Sequence, residues 1–249
     1  MLYEGDCLDI MPTLPDKSID MILCDLPYGT TACKWDTVIP FEPLWKEYKR
    51  LIKDNGAIVL TASQPFTSAL VMSNPKWFKY EWVWDKVQST GFLNAKKRPL
   101  PSHEDICVFS GVPLGRSNYF PQMTKGLYRD KSPSHSTDKV SGRAYGVVNN
   151  QKSNFNDDYY PKTIIKISNA CQIGKVHPTQ KPVALFEYLI KTYTNEGDTV
   201  LDNCAGSGTT GVACINTNRK YILIEKDKGY CEIIKNRITN TQVPLLAVN

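Results

Sequence analysis

Short apolar runs that end at Asp, Gly or Pro, with a helix-length amphipathic stretch between them, restrict the fold of this chain more than any other feature. Residues 18–24 (SIDMILC) and 57–62 (AIVLTA) read as buried strands. Between them, FEPLWKEYKRLI brings Leu44, Tyr48 and Leu51 to one side at helical spacing, and Asn55 with Gly56 suits its C-terminal stop. Parallel strands cannot be joined by a tight turn; they need a crossover of about a dozen residues or more, usually a helix. Strand, helix, strand is therefore a parallel-sheet unit.

The pattern continues with a helix over 65–72 and strands near 80–84 and 106–109, and then lapses. Residues 111–162 are rich in Gly, Ser, Asn, Lys and Tyr without sustained periodicity, and read as an irregular insert. Beyond it come a strand-like KTIIKIS, a helix over 183–193, a strand TVLDNC, a helix opening at Gly208, a strand KYILIEK and a last helix around 230–238. The expected fold is α/β, a mostly parallel open sheet with helices on both faces, built by 1–110 and 163–249 on either side of the insert 111–162.

A chain of 249 residues can bury a sizeable core. No apolar run nears the roughly 20 residues of a membrane span, and acids enter the N-terminal stretch too early for a secretory signal. A cytoplasmic protein without a membrane partner is the expectation. The eight cysteines are scattered singly with no C-x-x-C pair, so neither a metal site nor a disulfide framework is indicated, and several sit in apolar runs as small core residues. Charge is segregated: residues 86–175 hold 14 Lys and Arg against 6 Asp and Glu, whereas the rest holds 16 against 19. Such a block is either a solvated face or a surface for a polyanion.

LDNCAGSGTTGVA places Gly206, Gly208 and Gly211 in G-x-G-x-x-G spacing between a strand and a helix, and Glu225 ends the next strand, where an acid can bind ribose hydroxyls. A dinucleotide is the obvious ligand for that pattern, yet Asp202 stands four residues before the first glycine and is poorly matched to a pyrophosphate. An adenosine-containing ligand with an ammonium group, such as S-adenosylmethionine, suits both acids, and its carboxylate suits the positive end of a helix. Taken alone, the loop fits a capped, closely packed turn equally well. A second site comes from MILCDLPYGT: Asp25, Leu26, Pro27 and Tyr28 follow an apolar strand. If that strand lies beside the one ending at Asp202, both loops open into one crevice at the carboxyl ends of the strands.

With these residues in view, the sequence resembles the amino-group DNA methyltransferases, which carry a D/N/S-P-P-Y/F motif and an F-x-G-x-G motif. DLPY comes first, the insert next and DNCAGSGTT last, an order similar to the β class of that family. GDCLDIMPTLPDKSIDMILCDLPYG and HPTQKPVALFEYLI match its flanking pattern, and the resemblance covers most of the chain outside 111–162. It implies a Rossmann-like methyltransferase fold, S-adenosylmethionine as cofactor, double-stranded DNA as substrate and 111–162 as a target-recognition insert; homodimers are common in the family. It also implies that Asp202, Cys204, Gly206, Ser207, Gly208, Thr209 and Glu225 hold the cofactor. Asp6 and Cys7 would lie near its adenine, with Thr179, Gln180 and Lys181 near its methionine end. Asp6 as a helix cap, and HPTQKP as a plain loop before a helix, are the competing readings. Leu26 stands where the family usually has a proline, and Cys204 where it usually has an aromatic.

For such a reaction Asp25 and the Leu26 carbonyl would accept the two hydrogens of an exocyclic amine, Pro27 would set the bend and Tyr28 would stack on the extruded base. Adenine N6 is the expected target, because Asp rather than Ser at position 25 favours it; cytosine N4 is the alternative, and a retired DNA-binding module of the same fold is a further one. His103 reads as structural or DNA-contacting. Lys96, Lys97 and Arg98 form a plausible phosphate-contacting run, and Lys125, Arg129 and Arg143 interleave with Tyr119, Phe120, Tyr128 and Tyr145 as further DNA contacts. The competing reading of these cations is a solvated face.

Overall fold

The computed structural model describes residues 1–31, 33, 36–126, 157–169 and 180–246, with side chains as far as 241. Two compact units result: Met1–Phe120 with Lys162–Asn249, and Pro121–Pro161. Residues 111–120 thus fold with the larger unit, where the Asn118 N–H donates to Asn55 O and the Phe120 N–H to Thr192 O.

In the larger unit the strands are β1 (Leu2–Glu4), β2 (Ile19–Asp25), β3 (Ile52–Ala62), β4 (Phe78–Asp85), β5 (His103–Phe109), β8 (Ile164–Lys166), β9 (Thr199–Asp202) and β10 (Lys220–Glu225). Among the described residues they form one sheet in the order β1-β10-β9-β2-β3-β5-β4-β8. Every neighbouring pair is parallel except those made by β5, which runs antiparallel to both β3 and β4. β2 lies between β3 and β9, with Met21 opposite Val200 and Ile22 opposite Leu201. The strand ending at Asp25 is therefore adjacent to the one ending at Asp202, and the chain order reverses between them.

Strand β2 is apolar along both faces because both are covered. Ile22 and Cys24 pack in one core with Leu44, Tyr48 and Leu51 of the Phe41–Leu51 helix; Met21 and Leu23 pack in the other with Leu185, Phe186 and Leu189 of the Val183–Tyr193 helix. Leu44, Tyr48 and Leu51 are fully buried, as their helical spacing predicts. Each such side chain contributes about 1.5–3 kcal/mol by leaving water.

One helix boundary differs from the expectation. The Phe41–Leu51 helix does not stop at Asn55-Gly56: Ile52 is already extended and belongs to β3, so the sheet claims the chain three residues earlier. Asn55-Gly56 instead lies where the β2–β3 register slips, from Ile19 opposite Ile52 to Met21 opposite Ala57. A Cβ on Gly56 would stand 2.7 Å from Asp20 O, so this close passage requires glycine. At the N-terminus, Leu2–Glu4 adds an edge strand too short to show periodicity in the sequence.

In the smaller unit β6 (Thr124–Lys125) pairs antiparallel with β7 (Asp158–Tyr159). Lys125, exposed, makes ion pairs with Asp157 at 2.9 Å and Asp158 at 2.8 Å. No helix of the described residues is long and apolar enough to cross a membrane, and no group of three or more His, Cys, Asp or Glu among them is placed to hold a metal ion.

Candidate active site

The carboxyl ends of β2, β9 and β10 open into one cavity of about 1050 Å³ in the larger unit, lined by residues from both motifs. That volume admits a nucleoside-sized ligand with a second ring beside it. Asp25, Leu26, Pro27 and Tyr28 lie on its wall, as do Asp6, Cys7, Gln180, Lys181, Asp202, Cys204, Gly206, Ser207, Thr209 and Glu225. Thr179, Arg129 and Arg143 lie outside the described residues, with Tyr128 and Tyr145.

On the glycine-loop side, the turn after β9 is set by Gly206 at φ +52° and Gly208 at φ +80°, left-handed conformations that favour glycine. Gly208 caps the Thr209–Asn216 helix, and a Cβ there would also meet Ile234 at 3.0 Å. Glu225 ties the loop to the sheet: one carboxylate oxygen accepts from the Gly206 N–H at 2.7 Å, the other from the Asp227 N–H at 2.8 Å. Asp202 is almost fully buried and accepts from the Cys204 N–H at 3.1 Å and from the Thr210 hydroxyl. Burial pushes its carboxyl up to about 6, against the hydrogen bonds from Thr210 and Cys204. Asp6 caps the Cys7–Ile10 helix through the Leu8 N–H at 3.0 Å and pairs with Lys226 at 3.1 Å, so the cap role and a place on the cavity wall coexist. Ser207 donates to Gln180 Oε1 at 3.1 Å, and Arg237 Nη1 donates to the Ser207 carbonyl at 2.6 Å and its Oγ at 2.9 Å.

On the other side, Asp25 is the last residue of β2, opposite Thr61 of β3. One of its oxygens accepts from the Tyr28 hydroxyl at 2.7 Å and from the Thr61 hydroxyl; the other accepts from Lys181 Nζ at 2.7 Å. Lys181 is buried and also forms an ion pair with Glu104 at 3.2 Å, and Glu104 pairs with buried Lys86 at 3.2 Å. Burial works against the Lys181 charge, but Asp25 and Glu104 outweigh it and raise its pKa. Lys181 thus reaches across from the HPTQKP segment to Asp25. The Tyr28 ring is half-buried and stacks on Phe66, with centroids 5.1 Å apart and 24° between planes. Leu26 is buried in the core under the loop, which explains a leucine here: its side chain anchors the turn by packing. The loop that follows is closed by Asp36, whose carboxylate accepts from the N–H groups of Gly29, Thr30 and Thr31 at 2.7–2.9 Å.

Lys96 and Lys97 are exposed on the loop joining β4 to β5, while Arg98 on the same connection and His103, the first residue of β5, reach the cavity wall. Sequence reasoning missed Lys86, Glu104, Thr61, Asp36 and Arg237. Glu104 left one signal, an acid at the start of an apolar strand in SHEDICVF; the others meet partners 5 to 36 residues away and leave no local pattern.

A family model for N6/N4 methyltransferases, described as DNA methylase, matches residues 19–236. The chain belongs to this DNA methylase family. Among its relatives, the Type II methyltransferase M.HpaI of Haemophilus parainfluenzae is 28% identical over 250 residues, covering 95% of this chain and 73% of that protein. M2.MboI of Moraxella bovis is 26% identical over 264 residues, covering 95% and 86%. Of solved structures, the complex of M1.HpyAVI with S-adenosylmethionine superposes with a TM-score of 0.61 at 25% identity, covering 95% of this chain and 98% of that one. The cytosine-N4-specific PvuII methyltransferase superposes at 0.66 and 16% identity over 100% and 93%, a likeness of fold alone. This DNA methylase therefore has the amino-group methyltransferase fold, with the DLPY and glycine loops on one cavity.

Proposed function

We propose that this DNA methylase transfers the methyl group of S-adenosylmethionine to the N6 amino group of adenine in double-stranded DNA. The observation that carries the reading is the adjacency of β2 and β9, which gives Asp25 and the glycine loop a common cavity. The cofactor supplies a methyl group on a sulfonium. Asp202, Glu225 and Asp6 surround the glycine loop with carboxylates, a charge that suits an ammonium and ribose hydroxyls and opposes a pyrophosphate. Gly206, Ser207, Gly208 and Thr209 form the cradle, held by Arg237 and Gln180.

An exocyclic amine is a poor nucleophile because its lone pair is delocalised into the ring. Asp25 and the Leu26 carbonyl correct this by accepting its two hydrogens, so that the nitrogen pyramidalises and directs its lone pair. Lys181 and Thr61 hold the Asp25 carboxylate in place. Tyr28, backed by Phe66, stacks on the base, which must leave the duplex to reach the cavity. The carboxylate at position 25 favours adenine over cytosine.

The test is methylation of mixed-sequence duplex DNA with labelled S-adenosylmethionine, followed by digestion to nucleosides and mapping of the modified position. Label in N6-methyladenine within one sequence context is expected. Label in N4-methylcytosine overturns the choice of base, and no transfer to DNA despite cofactor binding overturns the enzyme reading.

A further inference from the structure

Strands β4 and β5 are joined by a connection that is ordered by its own hydrogen bonds. The Lys86 N–H donates to Ser102 O at 2.8 Å and the Thr90 N–H to Pro101 O at 2.9 Å, which extends the hairpin beyond the sheet. Gly91, at φ +78°, turns the chain into a short 3-10 helix, Phe92–Asn94, and the N–H groups of Lys97 and Arg98 both donate to Asn94 O. This compact tip exposes two large apolar side chains to water, Phe92 at 81% and Leu93 at 96%. Lys96 and Lys97 are exposed within five residues of them, with no ion-pair partner among the described residues. The inner side of the same connection, through Lys86, Thr90, Arg98 and Pro101, forms part of the wall of the cavity that holds Asp25.

We propose that Phe92 and Leu93 are an intercalating wedge that enters the base stack of duplex DNA beside the target base. The inference rests on the functional reading above. An adenine that enters the Asp25 cavity leaves a gap in the duplex, and apolar side chains inserted between base steps are an established way to unstack and kink DNA. The position fits, since one connection presents the wedge outward and borders the cavity inward. Its chemistry fits as well. Exposed apolar residues beside uncompensated cations match the apolar faces and charged backbone of a nucleic acid. A second copy of this chain, whose residues 86–175 carry the same positive excess, is a poorer match.

The double substitution Phe92→Ser with Leu93→Ser tests this, with Phe92→Leu and Leu93→Met as the variant that keeps apolar bulk. Both side chains are solvent-exposed, so unaltered cofactor affinity and melting temperature serve as the control for folding. The readouts are the ratio of methylation rates on duplex and single-stranded forms of one DNA, and the fluorescence of 2-aminopurine at the mapped target position on binding. For the Ser variant the duplex to single-strand ratio falls by about 10- to 100-fold. The 2-aminopurine signal falls with it, and the apolar variant recovers both. A Ser variant with the wild-type ratio and signal overturns the wedge while leaving the functional reading intact. Loss of self-association in the Ser variant, with no change in ratio, would make the tip a contact between copies and also overturn it. A wild-type protein that methylates neither form of DNA overturns the functional reading, and the wedge with it.

Discussion

At the scale of single residues, Asp25 is oriented in advance. Three protein donors surround its carboxylate, which can accept about four hydrogen bonds, so its direction is set before any ligand arrives and room for one more donor remains. For Asp25→Ala the expected outcome is a fall in kcat of about 100-fold or more with cofactor affinity nearly unchanged, measured by single-turnover methylation and by calorimetric titration. Residual turnover above about a tenth of wild type would mean the amine is held elsewhere. Asp202 gives a pH signature. Its pKa in the folded protein, about 6, lies above the usual carboxylate value, so the folded state binds the extra proton between about pH 4 and 6. The unliganded protein therefore loses this contribution to stability as pH rises through that window. A cationic ligand group favours the ionised carboxylate instead, so cofactor affinity rises through about pH 6 and then levels. Titrations at stepped pH check this, and Asp202→Asn should flatten the profile.

At the scale of elements, the glycine loop is braced from outside its own motif. Arg237, on the Lys228–Leu246 helix, donates twice to Ser207, thirty residues earlier in the chain. Arg237→Met should weaken cofactor binding by about 5- to 30-fold, the worth of one or two hydrogen bonds, with kcat at saturating cofactor almost unchanged. Equal loss in kcat would show that the brace acts on the substrate side. The elements themselves were legible where period and punctuation agreed: the helix over 183–193 and the fully buried face of Leu44, Tyr48 and Leu51 are as spacing implies. Asn55-Gly56 misled because a turn signal was read without the strand that claims it. Ile52 pairs with Ile19, and that pairing ends the helix.

At the scale of the molecule, the segregated charge gives an expectation for DNA binding that salt can test. The positive excess over residues 86–175 predicts salt-dependent DNA binding with a linear log–log slope. Replacing Lys96, Lys97 and Arg98 by Ala together should reduce that slope by about 2 to 3, measured by anisotropy titration on one duplex. An unchanged slope would mean that the three face only water. Lys125 is a weaker candidate for phosphate contact, because two aspartates already neutralise it. By itself the sequence determined the alternation of strands and helices, the two loops that line the cavity and the family they point to, because period, glycine spacing and short motifs are local properties. Only the tertiary structure decided that β2 and β9 are neighbours, that Lys181 reaches Asp25 across 156 residues, and that Leu26 anchors the DLPY turn from the core. Those outcomes depend on which surfaces are buried against each other, and partners so far apart in the chain meet only when the sheet is assembled.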